Sequence, residues 1–446
     1  MLIRRAQLED GRVTDVRIAE GRVVAIGDLI AAPGQEMLDA AGGLLLPGLH
    51  DHHTHLIALA AAMESVRCGP PEVHSIDELR IALNRPGEGW LRGVAYHESV
   101  AGMLDAAMLD RLAPHQPVRV QHRSGRMWFF NSAALEIVAA APGAADRLER
   151  ENGRYTGRLF DSDAWLRGAL RGAPPSLAAV GARLSRYGIT GITDMSPAND
   201  AALAAHFAAE QATQGLPQRL VLAGKQDLRA NDMGPLMRLG AAKLHLHEAD
   251  LPDLDVAVEF IRTAHTRGRR IAVHCVTDVE LLFTLAAFDE AGALRGDRIE
   301  HASIARPDEI ARMKRLGLWA AVQPNFVAER GDQYLADVAA EFTPHLYRLK
   351  SFLDAGLVLA AGSDAPFGDP DPWAAMSAAV QRRTPSGIAI GEKEALSPEQ
   401  ALDLFLRDPM DFTHRRKVEA GAPADLCLLD CDWSIARADL SAAHVR

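Results

Sequence analysis

Cysteine is scarce in this chain. Four thiols, Cys68, Cys275, Cys427 and Cys431, serve 446 residues without a C-x-x-C pair, which excludes a disulfide framework and points to a reducing, cytoplasmic setting. Cys427-x-x-x-Cys431 has the spacing of a metal or redox pair, but its Leu/Asp surroundings read as a strand with buried structural thiols. Long apolar runs are missing too. No uninterrupted run approaches the roughly 20 residues of a membrane span. The opening residues, MLIRRAQLEDGRVTDVRI, alternate charges and lack the apolar core of a secretory signal. Nor is there a basic excess: 48 Lys and Arg face 59 Asp and Glu, a formal net charge of −11. That balance argues against nucleic acid, whose binding rests on clustered Lys and Arg, and serves solubility.

What is present is a histidine-rich segment, Gly43–Leu56, reading GLLLPGLHDHHTHL. An apolar run passes Pro47-Gly48 and ends in Asp51, His52, His53, Thr54 and His55. In an extended chain side chains alternate between faces, so Asp51, His53 and His55 share one face, and His50 and His52 the other. Two imidazoles on one face at a strand end can grip a divalent metal. Taken alone, the same run also reads as a surface histidine patch.

The length suits a barrel of roughly 250 residues with accessory parts. Residues 1–49 read as short strands, Leu2-Ile3, Val13–Ile18 and Arg22–Ile26, parted by the turn signals Asp10-Gly11 and Glu20-Gly21. Residues 412–446 have similar character, with a strand at Ala424–Asp430, so both ends are expected to meet in one small β-sandwich. Between them, residues 50–411 form the main body. An insertion at about 60–175 carries Pro70-Pro71, Arg85-Pro86-Gly87 and the basic, aromatic stretch Val118–Asn131, and is expected to fold as an α/β lobe.

From about residue 176 the rhythm is regular. Apolar runs at Gly188–Met195, Arg219–Gly224, Ala241–His247, Arg270–Cys275, Arg298–His301, Leu318–Gln323 and Leu357–Gly362 alternate with helix-like stretches such as Asp253–Arg267 and Asp278–Ala291. With the strand ending at His55 the count is eight. Continuous apolar strands alternating with helices predict a closed parallel (β/α)8 TIM barrel, ahead of an open doubly wound sheet.

Functional groups of such barrels sit at the C-terminal strand ends. Those ends carry His53 and His55, then Lys243, His245 and His247, then His274, then Glu300-His301, and finally Gly362-Ser363-Asp364. Singly, each has an ordinary explanation. Asp364 could cap a helix, and Lys243 could hold its amine in solvent. Together they form one cup. Asp278 reads as the cap of the helix after His274, and Glu300 as half of a fold-supporting ion pair.

This ordered set resembles the amidohydrolase superfamily, and more narrowly its YtcJ-like, amidohydrolase-3 type. The matching residues are Pro47–His55, Lys243, His274, Arg298-Ile299-Glu300-His301-Ala302 and Gly362-Ser363-Asp364-Ala365-Pro366. Asn131-Ser132-Ala133-Ala134-Leu135 and Gly421–Leu426 match more weakly. The resemblance implies that His53, His55 and Asp364 hold one metal. His274 and His301 then hold a second or complete the first, and Lys243, if carboxylated, bridges two. Zinc is the default ion, since imidazole and carboxylate ligands suit it. The implied reaction is hydrolysis of a non-peptide carbon–nitrogen bond (amide, formamide, carbamate or cyclic amide) by metal-activated water, with Asp364 shuttling the proton. Arg126, Trp128, His247, Asn325 and Phe326 are expected to contact substrate, with Gln323 and Arg330 as further lining. The expected partners are a small-molecule substrate and a second copy of the chain, with no nucleic acid and no membrane. The chain departs from the pattern at Ser124-Gly125-Arg126, where relatives often carry histidine, and at His247-Glu248, where they often carry Asp-Gly. Two rival readings are a deaminase, disfavoured because no His-x-x-Glu stands at His274, and a barrel scaffold that has lost catalysis.

Overall fold

The computed structural model describes residues 1–85, 89–170 and 174–446. Pro86 and Gly87, which mark a break in the sequence, lie outside the described residues. The chain divides into two compact units, one made of Met1–Leu56 with Ser176–Arg446, the other of Ile57–Pro175.

The first unit is built on eight parallel barrel strands, β1 (Leu49–Thr54), β2 (Ile189–Asp194), β3 (Arg219–Gly224), β4 (Met237–Leu244), β5 (Ile271–Cys275), β6 (Arg298–His301), β7 (Trp319–Val322) and β8 (Val358–Ala361). They hydrogen-bond in sequence order, as the apolar runs predict. β8 and β1 meet at their C-terminal ends: Asp364 N–H donates to His53 O at 2.7 Å and His55 N–H to Ala365 O at 2.9 Å. The seam therefore closes at the mouth, and the last strand's acid is brought against the first strand's histidines.

β1 is not a plain alternating strand. Its ladder with β2 slips between Ile189 and Gly191 and again between Ile192 and Asp194, and such irregularities re-aim side chains. Gly191 lies opposite His50, and a Cβ there would stand 2.3 Å from His50 Nδ1. His50 has nowhere to go, being buried and held by Thr193 Oγ1 at 2.9 Å. Gly191→Ala is therefore expected to destabilise the fold by about 1–3 kcal/mol through overpacking. A shift in the urea midpoint at unchanged m-value measures it.

β4 differs from expectation. It starts at Met237 and leaves the ladder after Leu244, so His245 and His247 lie beyond its end, where the chain turns through Glu248–Asp250. Only the short 3-10 turn Ala230–Asp232 lies between β3 and β4, where a helix was expected. Helix Asp278–Ala291 matches its predicted span, but its cap is Thr277, in a capping box with Glu280. Asp278 instead accepts from Arg306 Nη2 at 2.6 Å.

The N-terminal strands Leu2–Gln7, Val13–Ala19, Arg22–Gly27 and Met37–Asp39 form one sheet, and Leu426–Leu428 pairs antiparallel with Leu45–Pro47 in a second. Ile3, Ala6, Val16, Val23, Leu45 and Leu428 pack in one cluster between them. The end of the chain gives this sandwich a single three-residue strand. The rest of it carries a helix, Trp433–Asp439, and a 3-10 turn.

The second unit is the expected α/β lobe. Its six-stranded mixed sheet runs Leu148–Glu151, Arg154–Phe160, Met127–Phe130, Val118–His122, Leu91–Tyr96, Val66–Arg67 in spatial order. Asn131, in the weaker family match, is a structural cap: its side chain accepts from Ala134 N–H at 3.0 Å and Val118 N–H at 2.9 Å. No helix among the described residues is long and apolar enough to cross a membrane.

Candidate metal-dependent active site

The site is assembled by strand ends. β1 supplies His53 at its end, with His55 just beyond. β8 is followed by Gly362-Ser363, which deliver Asp364 in the left-handed region at φ 55°. A Cβ on Gly362 would lie 2.3 Å from His53 N, so only glycine lets the two strand ends approach this closely. β6 ends in His301 at φ 70°, followed by Ala302 at 46°. Non-glycine residues held there cost about 1–3 kcal/mol each, and such strain clusters at functional sites.

Asp364 Oδ1 lies 3.4 Å from His53 Nε2 and 3.1 Å from His55 Nε2. Donor atoms of His53, His301 and Asp364 all fall within 4.8 Å of one another, and all three residues are buried. His274 Nδ1 stands 3.0 Å from His301 Nε2. Three of the four imidazoles are aimed by a partner on the other nitrogen: His53 Nδ1 by Glu300 Oε2 at 2.5 Å, His55 Nδ1 by Ser196 Oγ at 3.0 Å, His301 Nδ1 by Gln323 Oε1 at 2.7 Å. Such contacts fix tautomer and orientation in metal sites. Lys243 Nζ is buried with no hydrogen bond, and Asp364 Oδ1 faces only imidazole nitrogens, those of His53 and His55. A buried ammonium without a partner would be costly, as would ring lone pairs packed against a carboxylate. A bound cation, with the lysine in neutral or modified form, relieves both, so the residues present fit a divalent metal.

Electrostatics agree. Burial pulls the His53 and His274 imidazoles well below their ordinary range and lowers His301 in the same direction, leaving lone pairs free to ligate. Burial brings Lys243 down to about 8, against the raising effect of Glu300 and Asp364. Burial also pushes the Asp364 carboxyl up, but the facing His55, His301 and His53 rings outweigh it and hold the group well below the usual carboxylate range.

Residues 36–446 match the sequence profile of the Amidohydrolase family. The chain belongs to that family. This amidohydrolase is 28% identical to an N-substituted formamide deformylase of Arthrobacter pascens, over 94% of this chain and 90% of the relative. It is 24% identical to a putative amidohydrolase, YtcJ, of Bacillus subtilis (strain 168), over 95% and 92% of the two chains. Its fold superposes on an uncharacterized metal-dependent hydrolase from Pyrococcus horikoshii with a TM-score of 0.80 at 20% identity, covering 100% of this chain and 99% of that one. It is a hydrolase of carbon–nitrogen bonds other than peptide bonds, acting on small molecules.

Other expected residues of this amidohydrolase are placed differently. Asp51 does not face the donors: its carboxylate accepts from Ser363 Oγ at 2.6 Å, Ser363 N–H at 3.0 Å and His53 N–H at 3.0 Å, fastening β1 to the turn after β8. Burial raises that carboxyl to about 6. Arg126 belongs to the lobe and is clamped bidentately by Asp161, at 2.7 and 2.5 Å. Trp128 is buried in the lobe's own core, its indole N–H donating to Asp163 at 2.6 Å. Arg126 is exposed and Trp128 buried, and each is engaged by an acidic partner of the same unit. His245 and His247 are exposed, their Nε2 atoms 3.1 Å apart, and the His245 ring lies 4.4 Å from that of His274. Asn325 is buried and donates to Ser363 O at 3.1 Å, with its own Oδ1 unpartnered. Phe326 packs with Val327, Leu346, Tyr347 and Ile390, beneath the Arg330 guanidinium at 4.7 Å.

Sequence reasoning left Gln323 among pocket-lining residues and gave Glu300 only an ion pair. Glu300 does pair with Arg298 Nε, at 2.5 Å, but it also aims His53. Ser196 was missed outright. A signal existed for Gln323, a lone polar residue closing an apolar strand.

Proposed function

We propose that this chain is a zinc amidohydrolase of N-formyl, N-acyl or cyclic amides, with His53, His55, His274, His301 and Asp364 as ligands and Lys243 between them. The observation that carries the reading is the convergence of His53, His301 and Asp364 donors within 4.8 Å in a buried cup, beside an unpartnered lysine amine. A bound divalent ion supplies Lewis acidity toward the substrate carbonyl and the attacking water. The chain's own groups do the rest. Asp364, kept ionised at neutral pH, accepts a proton from the attacking water and returns it to the leaving nitrogen. One carboxylate serves both steps because they are consecutive. Lys243, shifted to about 8, has a neutral fraction that could add carbon dioxide with loss of one proton, and the resulting carbamate would be a further oxygen ligand for a bound ion. His247 and Asn325 are kept as the substrate contacts of this reading, with Phe326 as an apolar wall; Arg126 and Trp128 already have acidic partners in Asp161 and Asp163.

A deaminase of this architecture needs a carboxylate free beside His274. Glu280 instead accepts from three backbone N–H groups, Val276 at 2.7 Å, Thr277 at 3.2 Å and Glu248 at 2.9 Å, which fixes it as a structural cap.

Chelator treatment followed by dialysis is expected to abolish hydrolysis of a panel of N-formyl, N-acyl and cyclic amides, and added zinc to restore it. Metal analysis of the purified chain should find zinc. Hydrolysis unaffected by full metal removal, or a metal-free chain inert toward every amide after loading, would overturn the assignment.

A further inference from the structure

Three of the four cysteines are buried, and Cys431 is the half-exposed one. It lies far along the chain from every residue assigned to the barrel mouth. After strand Leu426–Leu428 the backbone pairs with the last residues: Leu429 bridges Val445 antiparallel, Asp430 N–H donates to His444 O at 2.8 Å and Arg446 N–H to Leu428 O at 2.9 Å. This ladder places Asp430 and Cys431 beside His444, and the donor atoms of the three side chains lie within 4.8 Å of one another. Helix Trp433–Asp439 closes the same loop and ends in Asp439.

His444 sits between two carboxylates. Its Nδ1 is 3.2 Å from Asp430 Oδ1 and its Nε2 is 3.2 Å from Asp439 Oδ2. In the neutral ring one nitrogen carries N–H and the other a lone pair, so His444 can ligate a cation through one side while the other donates to a carboxylate. With Nδ1 as ligand, Nε2–H donates to Asp439, the arrangement in which a carboxylate orients a metal-bound histidine. Thiolate, imidazole and carboxylate are the donor types zinc takes. Bond lengths of about 2.0–2.3 Å in a tetrahedron put ligand atoms roughly 3.3–3.6 Å apart, and His444 Nδ1 lies 3.2 Å from Asp430 Oδ1, with Cys431 inside the same 4.8 Å limit.

We propose that Cys431, His444 and Asp430 form a zinc site separate from the catalytic one, with Asp439 as the positioning partner of His444, tying the final segment to the sandwich strand. The site has three protein ligands and is preformed by backbone pairing. It does not rest on the hydrolase reading.

Cobalt(II) substitution in the full chain tests it. A cysteine ligand gives a thiolate-to-cobalt charge-transfer band, which imidazole and carboxylate ligands do not. Cys275, next to His274, has its Sγ turned toward Thr284 Oγ1 at 3.2 Å. The intact chain is expected to show the band, and Cys431→Ser to lose it along with one equivalent of bound metal, with amide hydrolysis unchanged. Asp439→Asn should keep the band but weaken cobalt binding by about 10- to 100-fold. No band in the intact chain, or a band that survives Cys431→Ser, would overturn the proposal. An inactive chain that still shows the band would sink the hydrolase reading alone.

Discussion

Asp364→Asn is expected to lower kcat/KM by roughly 10²- to 10⁴-fold, the range a positioned general base contributes, while the protein stays folded. The substitution is nearly isosteric. Asparagine tolerates the left-handed backbone that Asp364 adopts at φ 55°, so the seam between β8 and β1 is preserved. The negative charge and the proton-accepting oxygen are lost. The amide can still offer an oxygen to a cation, so metal content falls less than turnover does. Steady-state kinetics with metal-saturated enzyme, read beside thermal unfolding of both proteins, separates the two effects. Turnover near that of the unsubstituted enzyme in a metal-replete variant would remove Asp364 from the proton pathway and leave it a ligand only.

The parts of this fold that were legible in the sequence are those dictated by period and composition. The seven apolar runs after residue 176 and the Leu49–Thr54 strand emerged as eight parallel strands because doubly buried strands must be continuously apolar. The donor residues were legible because histidines, a lysine and an aspartate recur at strand ends, where a barrel exposes them. What escaped depends on local backbone events. The alternation rule put Asp51 on the face of His53 and His55, but the slips in the β1–β2 ladder intervene and its carboxylate goes to Ser363. β4 stops at Leu244 because the chain turns there, with Glu248 N–H reaching Glu280 at 2.9 Å. No periodicity reports a turn fixed by a residue 32 positions away. The acidic partners of Arg126 and Trp128, two residues read as pocket lining, could not be seen, because Asp161 and Asp163 lie 35 residues on, across a sheet whose order the sequence does not display.

Glu300 carries the second large expectation, in two variants that separate two roles. Its carboxylate is fully buried and shared between two groups, accepting from Arg298 Nε on one oxygen and from His53 Nδ1 on the other, each at 2.5 Å. Arg298 is itself buried and also donates to His52 O at 3.1 Å. Glu300→Ala strands that guanidinium without its anion, and removing one partner of a buried pair costs about 3–5 kcal/mol. Denaturant unfolding should register that loss before any catalytic effect is read. Glu300→Gln keeps the volume and one acceptor oxygen but cannot satisfy both the guanidinium and the imidazole. The His53 ring is then less firmly held in the tautomer that presents Nε2, and metal affinity is expected to fall by about 10- to 100-fold. Saturating metal should restore most of kcat, because Glu300 touches His53 and no reacting atom. A kcat deficit that persists at saturating metal would make Glu300 a participant in the chemistry. An unaltered metal affinity would show that His53 is oriented by the barrel alone.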